Sequence, residues 1–144
     1  MPKLKMHIKS KLDEIGLNSE SAIVIGSGIL SALGLRKSRD IDLVVTKEKY
    51  KELYSKKRFK KQLSHGRELL TDNLFEIGKD WVVLGKTWRF NDLIKHSTII
   101  GGVRYITIEF LLKAKREWLA NGDIRQKDID DVKLMEKYVE HKSR

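Results

Sequence analysis

The chain has 144 residues, no cysteine, and 30 Lys and Arg against 20 Asp and Glu, for a formal charge of +10. The missing cysteines exclude disulfides and thiolate metal sites, and the basic balance points to polyanions such as nucleic acid, nucleotides or anionic lipid as partners. A hydrophobic content of 40% and a charged content of 35% suit a globular protein, no apolar run approaches the ~18–20 residues that span a bilayer, and the opening MPKLKMHIKSKLDEIG lacks the apolar segment of a secretory signal. The expectation is one cytoplasmic domain, residues 1–144, that buries its own core.

Residues 3–16 predict a helix, with Leu4, Ile8, Leu12 and Ile15 at helical spacing and Gly16 as its C-cap. Ala22–Ile25 is a short β-branched run between turn residues and predicts a buried strand. Gly26-Ser27-Gly28 then turns into a short helix, which Gly34 ends, and a basic loop over residues 35–39 leads to a second strand from Asp40 to Val45. Thr46 caps a helix to about Lys57 with Tyr50, Leu53 and Tyr54 on its apolar stripe. The dense basic cluster Lys56 to Lys61 follows.

Residues 59–65 read as extended, with Gly66 as a turn; Leu69–Leu70, Leu74–Ile77 and Trp81–Leu84 read as strands. Phe90–Lys95 reads as a short helix starting near Thr87 or Asn91. Gly101-Gly102 is the turn of a hairpin between Ile99–Ile100 and Val103–Ile106. Thr107 caps a helix carrying Ile108, Leu111, Leu112, Trp118 and Leu119, Asn121-Gly122 breaks it, and a last helix from near Arg125 shows Ile129, Val132, Met135 and Val139 on one face. The expected class is α/β (α+β): a small mixed sheet backed by helices over residues 20–106, with two C-terminal helices over about 107–142.

The chemistry concentrates between Gly26 and Asp42. Asp40 and Asp42 stand at i and i+2 of a strand, so they share a face while Ile41, Leu43 and Val45 take the other. Two carboxylates ~6.5–7 Å apart repel unless a cation compensates them. Magnesium suits such a site, with carboxylates, waters and substrate phosphate oxygens as ligands, and two ions would serve the attacking and leaving groups of a displacement. Gly26 and Gly28 let backbone approach a ligand, Ser27 adds a hydroxyl, and the helix start presents free N–H groups. Each motif alone is also what an ordinary turn or a loop-capping strand end looks like.

Together, an apolar strand, Gly-Ser, residues 28–39, then Asp-Ile-Asp within SRDIDLVV resemble the signature of the DNA polymerase β-like nucleotidyltransferase superfamily. The resemblance implies a minimal nucleotidyltransferase core in which Gly26, Ser27 and Gly28 hold a triphosphate and Asp40 and Asp42 hold magnesium, as two ions, with manganese as the alternative. It also implies a third carboxylate from a later strand. Glu76 is the choice, because it alternates away from Phe75 and Ile77, with Asp72 and Asp80 as competitors at loop ends. Distally, LIKHSTIIGGVRYITIEFLLKAK and RQKDIDDV resemble small bacterial nucleotidyltransferase-like proteins, matching Lys113, Arg125, Lys127, Asp128 and Asp131. Arg39 and Lys113 join the nucleotide-binding candidates, with Arg36, Lys37 and Lys127 as further cations. Asp128 and Asp131 also suit a helix N-terminus without any ligand.

The implied reaction moves an NMP from an NTP such as ATP to a hydroxyl and releases pyrophosphate. RNA (tRNA foremost), a protein or a small molecule is the acceptor, and a homodimer or partner protein would supply a larger acceptor surface. Two other readings remain: a catalytically weak or inactive binding module of the same fold, in a toxin–antitoxin or defence pair, and an antibiotic-modifying nucleotidyltransferase. His7, His65, His96 and His141 lack the paired spacing of a zinc site, Ser27 lacks the partners of a serine nucleophile, and the glycine run lacks the terminal Gly-Lys-Ser/Thr of a Walker A loop. Trp88 or Phe90 is a candidate for base stacking, although core packing is the ordinary role.

Overall fold

The computed structural model describes residues 7–64 and 66–142. The predicted helix over residues 3–16 is seen from Ile8 to Glu14 (α1); its Leu4, and the loop His65, lie outside the described residues. Then follow β1 (Ala22–Ile25), α2 (Gly28–Ala32), β2 (Ile41–Val45), α3 (Lys47–Tyr54), β3 (Lys60–Ser64), β4 (Arg67–Thr71), β5 (Phe75–Gly78), β6 (Asp80–Val83), β7 (Lys86–Arg89), α4 (Phe90–Leu93), a 3₁₀ turn (Ile94–His96), β8 (Ser97–Ile100), β9 (Val103–Ile106), α5 (Ile108–Ala120) and α6 (Gln126–Lys142). No helix among the described residues is long and apolar enough to cross a membrane.

The two strands that read as most apolar hold the centre. A seven-stranded mixed sheet runs β3-β4-β5-β2-β1-β9-β8, and a separate hairpin pairs β6 with β7. All four residues of β1 are buried, as a strand covered on both faces requires. β1 pairs antiparallel with β2 and parallel with β9, while β2 pairs parallel with β5. The polar, lysine-bearing β3 is pushed to one edge, where its exposed residues meet water. The core gathers Ile23, Leu30, Val44, Leu53, Phe75, Ile77, Leu93, Ile106, Leu111 and Met135, all fully buried, each stabilising the fold by roughly 1.5–3 kcal/mol.

Both predicted caps are present: Thr46 accepts from Lys49 N at 3.3 Å and Thr107 from Phe110 N at 3.2 Å. The Gly101-Gly102 hairpin is present too. β7 departs from expectation, since Thr87 lies in a strand rather than at a helix start. The β6–β7 turn is Leu84-Gly85, both at positive φ (55° and 74°). This is the left-handed pair a two-residue hairpin needs, but with leucine where Asn or Asp would have signalled it. The hairpin is held instead by the facing of Trp81 and Trp88, and Trp88 Nε1 donates to Val83 O at 2.7 Å.

α2 lies against β1 because Gly28 has no side chain. A Cβ there would fall 2.3 Å from Val24 Cγ1, and Val24 is fully buried and cannot retreat. Gly28→Ala is therefore expected to cost ~1–3 kcal/mol by overpacking, read as a lowered denaturation midpoint in urea; an unchanged midpoint would contradict this packing.

Candidate functional site

Strand register brings the two halves of the site together. Ile25, the last residue of β1, faces Asp42 on β2, so the turn that follows Ile25 is laid beside the Asp42 side chain. Gly26 sits at φ +65°, and a Cβ on it would lie 2.8 Å from Asp42 Oδ2. Glycine is thus required twice, by the left-handed backbone and by the carboxylate that occupies the side-chain space. Ser27 stands at the N-cap position of α2, but its hydroxyl does not cap the helix. It accepts from Arg36 Nη2 at 2.8 Å.

On the other side, Asp42 pairs with Glu76 of β5 in the parallel ladder, so the two side chains share a face. Asp40 is exposed and lies one residue before β2 rather than within it. Asp72 is committed elsewhere, accepting from Leu74 N and Phe75 N at 2.8 and 2.7 Å. Asp80 pairs with Arg67 at 2.9 Å. Glu76 is therefore the third carboxylate that the sheet places beside Asp42.

Burial, then the charges of Glu76 and Asp40, push the Asp42 carboxyl up from 3.8 to about 6; Lys127 and Arg67 pull weakly the other way. Among the described residues, no three His, Asp or Glu side chains are already drawn close enough to hold one metal ion. Asp40 and Glu76 are nevertheless exposed and make no side-chain hydrogen bond among the described residues, so both are free to turn toward a shared ion. An all-carboxylate set with one half-buried, charge-crowded member fits a hard divalent cation such as magnesium.

Beside this group opens a cleft of about 590 Å³. The turn and β2 contribute Ser27 and Asp42 to its wall, the loop before β2 Arg36, Lys37, Arg39 and Asp40, and α6 Lys127, Asp130 and Asp131. Of the sequence candidates, Ser27, Arg39, Asp40 and Asp42 line the cleft. Gly26 backs Asp42, buried Gly28 fixes α2, and Glu76 is next to Asp42 along the sheet. Lys113 is exposed on α5 and is not among the lining residues; Lys127 is the cation the fold brings there. Phe90 is buried, and Trp88 is packed edge-on against Phe110 and His96, so neither ring is offered to a base.

Behind the cleft runs a buried chain of charges. Lys115, Asp128 and Asp131 are 4%, 2% and 2% exposed, burial that such residues tolerate only when paired. Lys115 Nζ meets Asp128 Oδ1 at 2.6 Å and Asp131 Oδ2 at 3.3 Å. Arg125 Nη2 stands 2.8 Å from Asp128 Oδ2 as an ion pair without hydrogen-bond alignment. Arg36 donates through Nε and Nη2 to the two oxygens of Asp131 at 2.6 and 2.7 Å. The same Nη2 reaches Ser27, so the chain ends on the Gly-Ser turn. Burial opposes the Asp131 charge, but hydrogen bonding from Arg36 and the charge of Lys115 hold its carboxyl below the usual value.

Sequence reasoning placed Asp128 in the first helical turn, where it is, and missed its burial and that of Lys115. A signal existed: Lys115 lies four residues after Leu111, on the apolar stripe of α5, and Asp128 and Asp131 share the face of Val132 and Met135.

No protein-family model matches this sequence, and no curated protein does. Two solved structures share its architecture. The solution structure of the antibiotic-resistance factor ANT(2'')-Ia superposes with a TM-score of 0.59 at 20% identity, covering 92% of this chain and 80% of that one. The crystal structure of ANT(2'')-Ia in complex with adenylyl-2''-tobramycin superposes with a TM-score of 0.59 at 19% identity, covering 92% of this chain and 85% of that one. The chain shares its fold with ANT(2'')-Ia. The expected α+β class, with a mixed sheet backed by helices, is the one observed.

A raised carboxyl has a defined signature in stability. Asp42 binds its proton more tightly folded than unfolded, so metal-free protein loses stability as pH rises from about 4 to about 6. Asp42→Asn removes this dependence. The difference in unfolding free energy between variant and wild type should therefore grow in favour of the variant, by up to ~3 kcal/mol, between pH 4 and pH 7. Urea denaturation across that range checks it, and a constant difference would contradict the crowding of Asp42.

Proposed function

We propose that the protein is a metal-dependent nucleotidyltransferase that moves an NMP from an NTP to a hydroxyl acceptor. The observation that carries this is the Asp42 carboxylate occupying the space that a side chain at Gly26 would fill, beside a cleft lined by both acids and cations. In this reading the turn at Gly26 and Ser27 receives the phosphates, with Arg39 and Lys127 neutralising them. Lys113 is left to the solvent. Asp40, Asp42 and Glu76 hold magnesium, with manganese as the substitute. When bound, the metal supplies charge neutralisation to the phosphates.

Arg36 acts on Ser27: anchored by Asp131, it fixes the hydroxyl and so the turn. The acceptor oxygen attacks the α-phosphorus, a new P–O bond forms, and the bond to pyrophosphate breaks. The acceptor proton passes to a carboxylate of the group, Glu76 being the exposed member that does not line the cleft. Catalysis is then mostly positioning and charge stabilisation. A pure binding module has no use for a half-buried carboxylate crowded by two others, which argues for an enzyme over an inactive scaffold. The likeness to ANT(2'')-Ia supports a second reading, in which the acceptor is a small antibiotic hydroxyl.

With α-labelled NTPs, magnesium and a panel of RNA, protein and tobramycin-like acceptors, wild-type protein should transfer label. Asp42→Asn should lose at least about 10²-fold, although it is the more stable protein at neutral pH. Undiminished transfer by Asp42→Asn would sink the assignment. Metal binding requires the ionised carboxylate, so thermal stabilisation by magnesium with NTP should be large at pH 7.5 and small at pH 5.5. Equal shifts at both pH values would remove Asp42 from the metal site.

A further inference from the structure

The face of the sheet that carries Asp42 and Glu76 continues beyond them. Glu76 pairs with Thr71, and Thr71 with Lys60 on the edge strand, so one row crosses β2, β5, β4 and β3. Alternation puts Gln62, Ser64 and Arg67 on this same face. Apart from Leu69, which is buried between Arg67 and Thr71, it is polar, and at β3 it is exposed.

Its charges are unevenly committed. Asp80 is bound to Arg67, and Asp72 pairs with Arg58 at 3.5 Å and caps backbone N–H groups. Lys60, and Lys56 and Lys57 in the turn before β3, are exposed and have no acidic partner among the described residues. A polycationic acceptor would find only Glu76 free here, whereas a polyanion meets three open lysines.

At the Ser64–Arg67 end the face runs into a second cleft of about 560 Å³, walled by Trp81, Val82, Trp118 and Arg125. Val82 is 54% exposed, and the Arg125 side chain is 71% exposed. Asp123 borders the cleft and is committed to Arg125, whose N and Nε donate to its Oδ1 at 2.9 and 3.2 Å. A flat apolar ring suits this lining, with exposed Val82 and half-buried Trp118 as its contacts.

We propose that this surface, from Lys60 to Trp118, docks a single-stranded nucleic acid, with phosphates along Lys56, Lys57 and Lys60 and a base against Val82 and Trp118 in the second cleft. The docking rests on charge and shape. That the strand presents a terminal hydroxyl to Asp42 and serves as acceptor rests on the nucleotidyltransferase reading.

The test is fluorescence anisotropy with a short labelled oligoribonucleotide and the oligodeoxyribonucleotide of the same sequence, beside the label-transfer assay. Binding should saturate and weaken linearly in log–log plots as salt rises. Lys60→Glu and Val82→Glu, both at exposed positions, should each weaken it at least about fivefold, a change of ~1 kcal/mol. Lys95→Glu, the same charge reversal just before β8 at the opposite sheet edge, should not. The preferred sugar shows whether RNA or DNA is the partner.

Absent binding, or equal losses from all three variants, overturns the proposal. If label then moves to a tobramycin-like acceptor, nucleotidyl transfer stands without nucleic acid. Binding that follows the predicted pattern while no acceptor takes label supports the docking surface and removes the enzyme reading instead.

Discussion

The pairing of Ile25 with Asp42 is the constraint on which the rest of the molecule depends. Because β1 ends where the acidic part of β2 begins, the chain that leaves β1 must turn across the Asp42 carboxylate. Only glycine at position 26 permits that turn, since both the backbone conformation and the space are taken. A slip of one residue would point Asp42 into the core and Leu43 into the cleft. The register is held by burial: Ile23, Val24, Leu43 and Val44 are almost wholly inaccessible and have no other way to be covered. Hydrophobic packing of the strand thus holds the carboxylate in an environment it would not choose, with its acid weakened to about 6.

A second arrangement keeps the turn itself in place. Arg36, Lys115 and Arg125 face Asp123, Asp128 and Asp131, three cations with three carboxylates, across the junction of α5, α6 and the loop before β2. The buried members, Lys115, Asp128 and Asp131, add little net stability over an apolar packing of equal volume, but losing one of them strands the others at a cost of ~3–5 kcal/mol. Their value here is directional. An apolar contact would hold α6 to the core as well, but would not deliver a guanidinium to Ser27 Oγ. Helix docking and turn geometry are thereby coupled.

Legibility in the sequence followed range. Gly26, Ser27, Asp40 and Asp42 were readable because their geometry is set by one strand–turn–helix–strand unit, and Glu76 because alternation against Phe75 and Ile77 fixes its face. The caps at Thr46 and Thr107 were readable for the same reason. β7 was not, because its turn uses Leu84 at positive φ and its support is a tryptophan pair that only the folded hairpin reveals. The choice of Lys113 over Lys127 could not be settled locally, since it depends on how α6 docks. Lys115 shows periodicity pointing to burial while residue type argued against it; its partners lie on another helix.

The central claim is that the Gly-Ser turn and the acidic row of the sheet bind one metal–nucleotide unit between them. Paramagnetic broadening by manganese, measured on backbone amides with a non-hydrolysable NTP analogue present, tests it most directly. The account predicts that the amides of Gly26, Ser27, Asp42 and Glu76 broaden first and together, and that Asp42→Asn abolishes the effect at equal manganese. Broadening centred elsewhere in the molecule, or unchanged in Asp42→Asn, would contradict it.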